Sequence, residues 1–484
     1  INIILNFMRT LIKNLKEKIG EEATIMGWVD VRRDQGKLIF LDIRDFSGKV
    51  QAVVLPGVNE DTKLIAEKLR SEWVVEISGK INARPERNIK KDEKTGEVVL
   101  NGELEMEVLN IKVLNEAETP AFDISGDGKE INEEIRLEKK YLDMRRERIQ
   151  NNLRLRSKVQ NFLRKEFLNR DFVEVETPIL TNPTPEGARS YIVPSRLSNG
   201  NFYALPQSPQ QYKQLLMSGG MERYFQFAKC MRDEDTRGDR QPEFTQLDIE
   251  LSFTNEEEIR KINEEILIKL ITNLFPEKKI QQIPFPIITY KEAIEKYGND
   301  RPDLREDKND PNLIAFGWVV DFPFFEKTSN SDDPEAEGEW TFTHNPFSRP
   351  KEEYMQNLYE KKNIGDIVAQ QYDIIMNGFE LGGGSIRNHK SEDLKKVLEI
   401  LGHSEEKIEK NFGHMLRAFR SGTPNHGGIA WGFDRLIMIL VNEPNIREVM
   451  AFPKTGEGKD LLIQTPAPTS EKHLKELGIK LDLK

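Results

Sequence analysis

Cys230 is the only cysteine among 484 residues, and there are only six histidines. One thiol cannot build an intrachain disulfide framework or a multi-cysteine zinc site. The histidines show no HExxH spacing, which excludes a zincin. No stretch approaches the ~18 apolar residues of a membrane-crossing helix. Residues 1–7 are too short for a secretory apolar core and lack a basic leader, and Met8 is a candidate start. There is no GxxxxGK[ST] phosphate loop and no GxGxxG after a strand. His426-Gly427-Gly428 has no GxSxG elbow beside it, so a hydrolase oxyanion loop is excluded too. Positive charge is also in deficit: 71 Lys and Arg stand against 82 Asp and Glu, a net charge of −11. That balance excludes a generally basic nucleic-acid coat protein, while leaving room for local basic patches. The expectation is a reduced, cytoplasmic, globular chain without membrane association, long enough for about three domains.

Apolar alternation marks strands at 23–29, 38–44 and 50–54, with a turn at 45–49. Residues 61–69 read as a short amphipathic helix, and 73–79 and 104–114 as two further strands. Five strands with a helix after the third match an OB-fold β-barrel, which binds single-stranded nucleic acid. Phe40 alternates with Ile39, so either the barrel core or its outer face remains open for it. Residues 115–135 are polar, rich in Glu, Asp and Gly, and contain Pro120, the composition of a hinge. In 147–169, Ile149, Leu153, Val159, Phe162, Leu163 and Phe167 recur at three- and four-residue steps, the period of a long helix. Residues 172–177 read as a strand stopped by Pro178. Beyond it, strands and helices alternate irregularly, as in an α+β domain on an antiparallel sheet. The expected boundaries are 1–115 for the barrel, 116–145 for the hinge and 146–484 for the larger domain.

Four clusters carry candidate chemistry. Residues 227–250 form two alternating strands joined by a loop of both charge signs. Charges begin inside the first strand at Arg232 and resume at Asp248. Such positions are costly unless a ligand or partner meets them; a solvated hairpin tip is the plain alternative. In 371–387, Glu380 and Arg387 flank Gly382-Gly383-Gly384, glycines that would let a ligand lie on the backbone. Asp373 and Glu380 are hard oxygen donors suited to Mg²⁺ bridging phosphates, unless they pair internally with Arg387. In 427–440, Arg435 opens a very apolar helix, and either a phosphate or Asp434 would explain its charge. Glu186 in 184–189 and the run Gln207-Ser208-Pro209-Gln210-Gln211-Tyr212-Lys213 complete the set; alone they are an ordinary loop and helix start. Cys230 reads as a buried structural thiol.

Together these clusters resemble the signature set of class II aminoacyl-tRNA synthetases. The strand ending at Pro178 is similar to their dimer-forming first motif, residues 232–250 to the second, and Gly432-Phe433-Asp434-Arg435 to the third. TPEGAR at 184–189, QSPQ at 207–210, RQPEFTQ at 240–246 and GGGSIR at 382–387 resemble the bacterial-type aspartyl-tRNA synthetases in particular. The resemblance runs from Met8 to Lys454. Two departures stand out. The large insertion domain usual between the second and third motifs is missing, since Arg301 to Arg305 runs almost directly into Trp318. Where the family often has two histidines before Pro-Phe, this chain has His344-Asn345.

The resemblance implies an N-terminal OB-fold followed by a class II catalytic domain, acting as a homodimer on ATP, L-aspartate and tRNA(Asp). Aspartate would attack the α-phosphate of ATP, and the aspartyl group would then pass to the 3′ end of tRNA. Such a reaction needs positioning and charge stabilisation, with no covalent nucleophile. By the match, Arg232 holds the α-phosphate and the aspartate carboxyl. Asp233, Glu234 and Gln241 position ATP. Gly432, Phe433 and Asp434 belong to the nucleotide site, with Arg435 clamping the γ-phosphate. Asp373 and Glu380 hold Mg²⁺. Ser208, Gln210 and His344 line the amino-acid site, with Glu186 and Asp248 at its ammonium. Lys213 and Arg387 read the side-chain carboxylate, which a guanidinium binds bidentately and an asparagine amide does not match. Arg33, Phe40, Gln51 and Arg84 contact the anticodon. The alternatives are a relaxed enzyme that also charges tRNA(Asn), a non-catalytic RNA-binding protein, and a synthetase-like enzyme making free asparagine, which should lack the barrel.

Overall fold

The computed structural model describes residues 9–91, 95–183, 187–330 and 338–482. The chain forms two units, Ile1–Gly126 and Asp127–Lys484. In the first, strands β1 (Glu22–Gln35), β2 (Leu38–Asp45), β3 (Gly48–Val54), β4 (Val74–Ala83) and β5 (Leu104–Asn115) close a barrel in the order β1-β2-β3-β5-β4. Helix α1 (Glu60–Lys68) follows the third strand, and the Asn59 side chain caps it by accepting from the Thr62 N–H at 2.8 Å. Ala23, Ile25 and Val29, then Ile39, Leu41 and Ile43, then Val75, Ile77 and Ile81 fill the interior. This is the period-two pattern of strands with one buried face. It settles the face of Phe40: Ile39 and Leu41 point inward, and Phe40 lies half-buried on the outside.

Residues 127–145, expected as part of a hinge, are instead folded into the second unit. Asn132 caps a short helix, Glu133–Glu138. Arg136 makes paired bonds to Glu448 at 2.8 and 3.1 Å. Arg148 reaches Glu443 at 2.6 Å and Glu448 at 2.9 Å, and Arg447 returns to Glu133. Burial would raise the Glu448 carboxyl, but Arg136 and Arg148 outweigh it and hold the group at about 2. High charge density makes this stretch look like a solvated linker, whereas its charges pair inward.

Helix α2 (Glu147–Leu168) leads to strand β6 (Val173–Glu174), helix α3 (Gln210–Ser218), strands β7 (Arg223–Met231) and β8 (Glu243–Ser252), and helix α4 (Glu256–Leu274). Strands β9 (Ile287–Thr289), β10 (Phe316–Val320), β11 (Gln371–Met376), β12 (Phe379–Ile386) and β13 (His426–Gly432) follow, then helix α5 (Phe433–Leu440). The eight strands form one sheet in the order β9-β10-β11-β12-β13-β8-β7-β6. It is antiparallel except at its two edges, where β6 runs parallel to β7 and β9 to β10. The strand expected over 172–177 shortens to two residues. The Val175 N–H still donates to Phe225 O at 3.2 Å, but that of Thr177 turns to the Gln226 side chain at 3.0 Å. Val159, Leu163 and Phe167 of α2 share a buried cluster with Ile266 and Leu270 of α4 and with Leu436 and Ile437 of α5. Among the described residues no helix is long and apolar enough to cross a membrane.

Candidate active site

A cavity of 590 Å³ is walled by β8, β11, β12 and β13, by α3 and α5, and by the loop joining β7 to β8. It gathers Ser208, Gln210, Lys213, Arg232, Glu234, Gln241, Asp248, His344, Glu380, Arg387, Gly432, Asp434 and Arg435. Three expected residues are elsewhere. Asp233 is exposed and off the lining; Phe433 is buried in the core, its ring 5.1 Å from that of Phe227; Asp373 lies behind Gln371. Glu186 lies outside the described residues, as do Thr184 and Pro185.

One end of the cavity is a buried quartet of charges. Asp248 and Glu250, two apart on β8, share a face. Lys213 reaches up from α3, its Nζ 3.0 Å from Asp248 Oδ2 and 3.2 Å from Glu250 Oε2. Arg387, one residue past β12, donates from Nε to Glu250 Oε1 at 3.0 Å and from Nη2 to Oε2 at 3.2 Å. All four side chains are at most 3 % exposed. Burial lifts Asp248 to about 6 against the pull of Lys213. Burial acts on Glu250 in the same sense, but Arg387 and Lys213 outweigh it and hold that carboxyl below its ordinary range. Gly428 pairs with Glu250 across the strands, and a Cβ there would collide with Ile249 O and the Glu250 carboxylate. Arg387 Nη1 also donates to Ser385 Oγ at 2.6 Å. That hydroxyl lies 2.9 Å from Ser348 Oγ, whose N–H is capped by Asn345 Oδ1. The Asn345 turn thus ends in a hydroxyl relay to Arg387.

The other end holds arginines with donors to spare. Arg232 stacks its guanidinium 5.2 Å over the Phe244 ring, and its buried Nε has no partner among the described residues. Arg435 donates Nη1 to Glu380 O and Nη2 to Asp239 Oδ2 at 3.0 Å, and its Nε likewise has no partner. Asp434 is spent structurally: Arg156 holds Oδ1 at 2.5 Å, and the Thr245 N–H donates to Oδ2 at 2.7 Å. The Gln241 amide exchanges both of its bonds with the Lys454 backbone, at 3.2 and 2.8 Å. Cys230 is buried, with Sγ 3.2 Å from Gln246 Oε1.

Asp373 accepts from Gln371 Nε2 at 2.7 Å and lies 3.5 Å from His344 Nε2. Burial raises Asp373, with His344 opposing; burial lowers His344, but Asp373 and Glu380 outweigh it and leave the imidazole raised. The glycine run lines the cavity, as expected, and it has a second use. A Cβ at Gly382 or Gly384 would strike the backbone of β13, and one at Gly383 the Asp373 carboxylate. These glycines also let two strands and a carboxylate approach closely.

Several site residues escape a sequence reading. Glu250 was detectable as the second of two alternating carboxylates in an otherwise apolar strand. Asp239 and Gln371 carry no local signal, because their partners are distant in the chain. Arg33 pairs with Asp42 on the barrel's outer face at 2.8 Å, whereas the Arg84 side chain, expected at the anticodon, is buried, with Nη2 donating to Gln51 Oε1 at 2.7 Å and Nε 3.4 Å from Glu105. Lys90 sits 3.9 Å from Asp42. Burial, with Arg84 and Arg33 nearby, lowers its ammonium despite that carboxylate.

Residues 132–456 match the family described as tRNA synthetases class II (D, K and N), and residues 23–114 match the OB-fold nucleic acid binding domain. Barrel, sheet and arginine-lined cavity together are the build of a class II tRNA synthetase. An aspartate--tRNA(Asp/Asn) ligase of Rubrobacter xylanophilus is 38% identical, the match covering 96% of this chain and 95% of the relative. An aspartate--tRNA ligase of Staphylococcus aureus is 35% identical, with 96% and 97% covered. The chain belongs to this family of aspartate–tRNA ligases. The two alignments span 588 and 591 positions against the 484 residues here, so the relatives carry stretches without a counterpart in this chain. The fold is also that of an asparaginyl-tRNA synthetase from Pyrococcus horikoshii, with a TM-score of 0.74, 21% identity, and 93% and 98% of the two chains covered. A putative aspartyl-tRNA synthetase from Leishmania major has a TM-score of 0.72 at 19% identity, with 94% of each chain covered.

Proposed function

We propose that the protein joins L-aspartate to ATP as aspartyl-adenylate and passes the aspartyl group to the 3′ end of tRNA(Asp). The observation that carries this reading is the charge layout of one cavity. Lys213 and Arg387 stand at one end on a buried carboxylate frame, and Arg232 and Arg435 stand at the other with donors unspent. In this reading the side-chain carboxylate of aspartate meets Arg387 and Lys213. Ser208, Gln210 and His344 line its path, with Glu186 at the ammonium. Asp248, bonded to Lys213, acts by holding that lysine in place. Arg232 bridges the reacting carboxyl and the α-phosphate, and Phe244 offers a ring face to the base. Glu234 orients ATP, and Arg435 takes the terminal phosphate. Gln241 acts indirectly by fixing the segment at Lys454, and Asp233, Phe433 and Asp434 act through the loop and helix they belong to. With charge placed in advance, the transition state is stabilised without reorganisation.

Glu380, half-buried on the cavity wall, is the carboxylate that would hold Mg²⁺, which binds through one or two carboxylates plus substrate phosphates and would offset triphosphate charge. Asp373, expected as its second ligand, is buried off the cavity lining against Gln371 and His344. Among the described residues no cluster of three or more metal-binding side chains exists that would make a protein-only cage.

In the same reading Phe40 stacks an anticodon base and Gln51 offers its amide to another, with Arg33 and Arg84 supplying charge. Exposed Val173, Ile179 and Leu180 around Pro178 support a homodimer through that face. In this reading the enzyme acts in the cytoplasm. A second reading, charging of tRNA(Asn) as well, is favoured by the similarity to the Rubrobacter aspartate--tRNA(Asp/Asn) ligase. The test is aspartate-dependent pyrophosphate exchange scanned over amino acids, then aminoacylation of purified tRNA(Asp) and tRNA(Asn). Exchange with aspartate alone is expected; exchange with asparagine in its place overturns the proposal.

A further inference from the structure

We infer that Asp239 is a placeholder for the triphosphate: its carboxylate holds the Arg435 guanidinium in the cavity and gives way when ATP binds. The inference rests on the reading of Arg435 as a phosphate ligand. Both residues line the cavity, with Arg435 Nη2 3.0 Å from Asp239 Oδ2. Arg435's other hydrogen bond goes to Glu380 O, a neutral acceptor fixed in β12. Asp239 differs in kind. It is an anion on the loop between β7 and β8, and the two side chains are 17 % and 20 % exposed, so water reaches the pair and weakens it.

A triphosphate brings more negative charge and more acceptor oxygens than one carboxylate, and like charges repel at close range. Asp239 and the phosphate therefore compete for the same donor. The exchange asks little of the backbone. Arg237 and Arg240 trade main-chain hydrogen bonds at 3.3 and 3.2 Å, and the Ile446 N–H donates to Gly238 O at 3.0 Å. With the loop pinned at these points, rotation of the Asp239 side chain is enough. Arg240 is capped by Glu234 at 3.3 Å, so a second cation of this rim is masked in the same way. Until ATP arrives the carboxylate keeps Arg435 extended, and its return helps displace pyrophosphate.

Equilibrium ATP binding and pyrophosphate exchange on the full chain test this. Asp239→Asn is expected to lower the Kd of ATP about two- to fivefold, the range of a partly exposed ion pair. The Ki of pyrophosphate should fall in parallel, with the KM for aspartate moving less than twofold. Asp239→Ala should shift the same way, while Asp239→Glu, which keeps the charge, should stay near the parent. An ATP Kd unchanged or raised in both Asp239→Asn and Asp239→Ala overturns the inference, because a residue that merely positions Arg435 loses affinity when removed. Arg435→Ala is measured alongside. Weaker ATP binding there upholds Arg435 as a phosphate ligand whatever Asp239→Asn does, whereas unchanged binding removes that reading and the placeholder with it.

Discussion

Replacing Arg387 by methionine takes one cation from a buried quartet in which two positive and two negative groups balance. Glu250 then keeps only Lys213 at 3.2 Å, and Lys213 is already shared with Asp248. Leaving a buried carboxylate under-compensated costs about 3–5 kcal/mol. The deficit should be largest at neutral pH. In the parent, Glu250 is held below its ordinary range, so its stabilisation is present above that range and lost as pH falls. Without Arg387 its folded-state pKa rises, and acid relieves the variant by protonating it. Aspartate activation should fall separately. Truncating a buried charge pair costs about 2–5 kcal/mol, or roughly 30- to 5,000-fold in kcat/KM for aspartate. The two losses come apart in the double variant Arg387→Met/Glu250→Met, which leaves Lys213 and Asp248 as a balanced pair. Its unfolding free energy from urea titration should return to within about 1 kcal/mol of the parent, while pyrophosphate exchange with aspartate stays lost. A single variant within about 1 kcal/mol of the parent, or kcat/KM for aspartate within threefold of it, refutes this account of the quartet.

Glu448→Gln should destabilise the second unit by about 3–5 kcal/mol at neutral pH, because Arg136 and Arg148 lose a shared buried partner. With the carboxyl held at about 2, its contribution is complete above the ordinary glutamate range and disappears as pH falls through 2. The gap between parent and variant in urea unfolding should therefore close on acidification; a gap independent of pH contradicts this. Phe40→Ala should raise the KM for tRNA by about 5- to 150-fold, the ~1–3 kcal/mol of one base stacked on an aromatic ring. A tRNA KM within twofold of the parent would take Phe40 out of the RNA contact.

Signals carried within a few residues were legible from the chain alone. Alternation located the five barrel strands, and three- and four-residue spacing located α2, because burial of one face imposes those periods on sequence. The clusters at 232–250, 380–387 and 432–435 were likewise readable, since charges inside apolar strands and at the head of an apolar helix demand a ligand or partner. What misled was charge without context: residues 127–145 read as linker because pairing partners such as Glu443 and Glu448 lie some three hundred residues away.

The order of residues by itself determined the two-unit plan and which side chains could bear charge chemistry. Tertiary structure decided where each charge is spent. Only folding turns Asp434 and Gln241 into braces and brings Asp239 against Arg435. It also sets Glu250 between Lys213 and Arg387. The physical reason is that a buried charge is valued by the partners within a few ångströms of it, and a sequence records neighbours along the chain but not across the sheet.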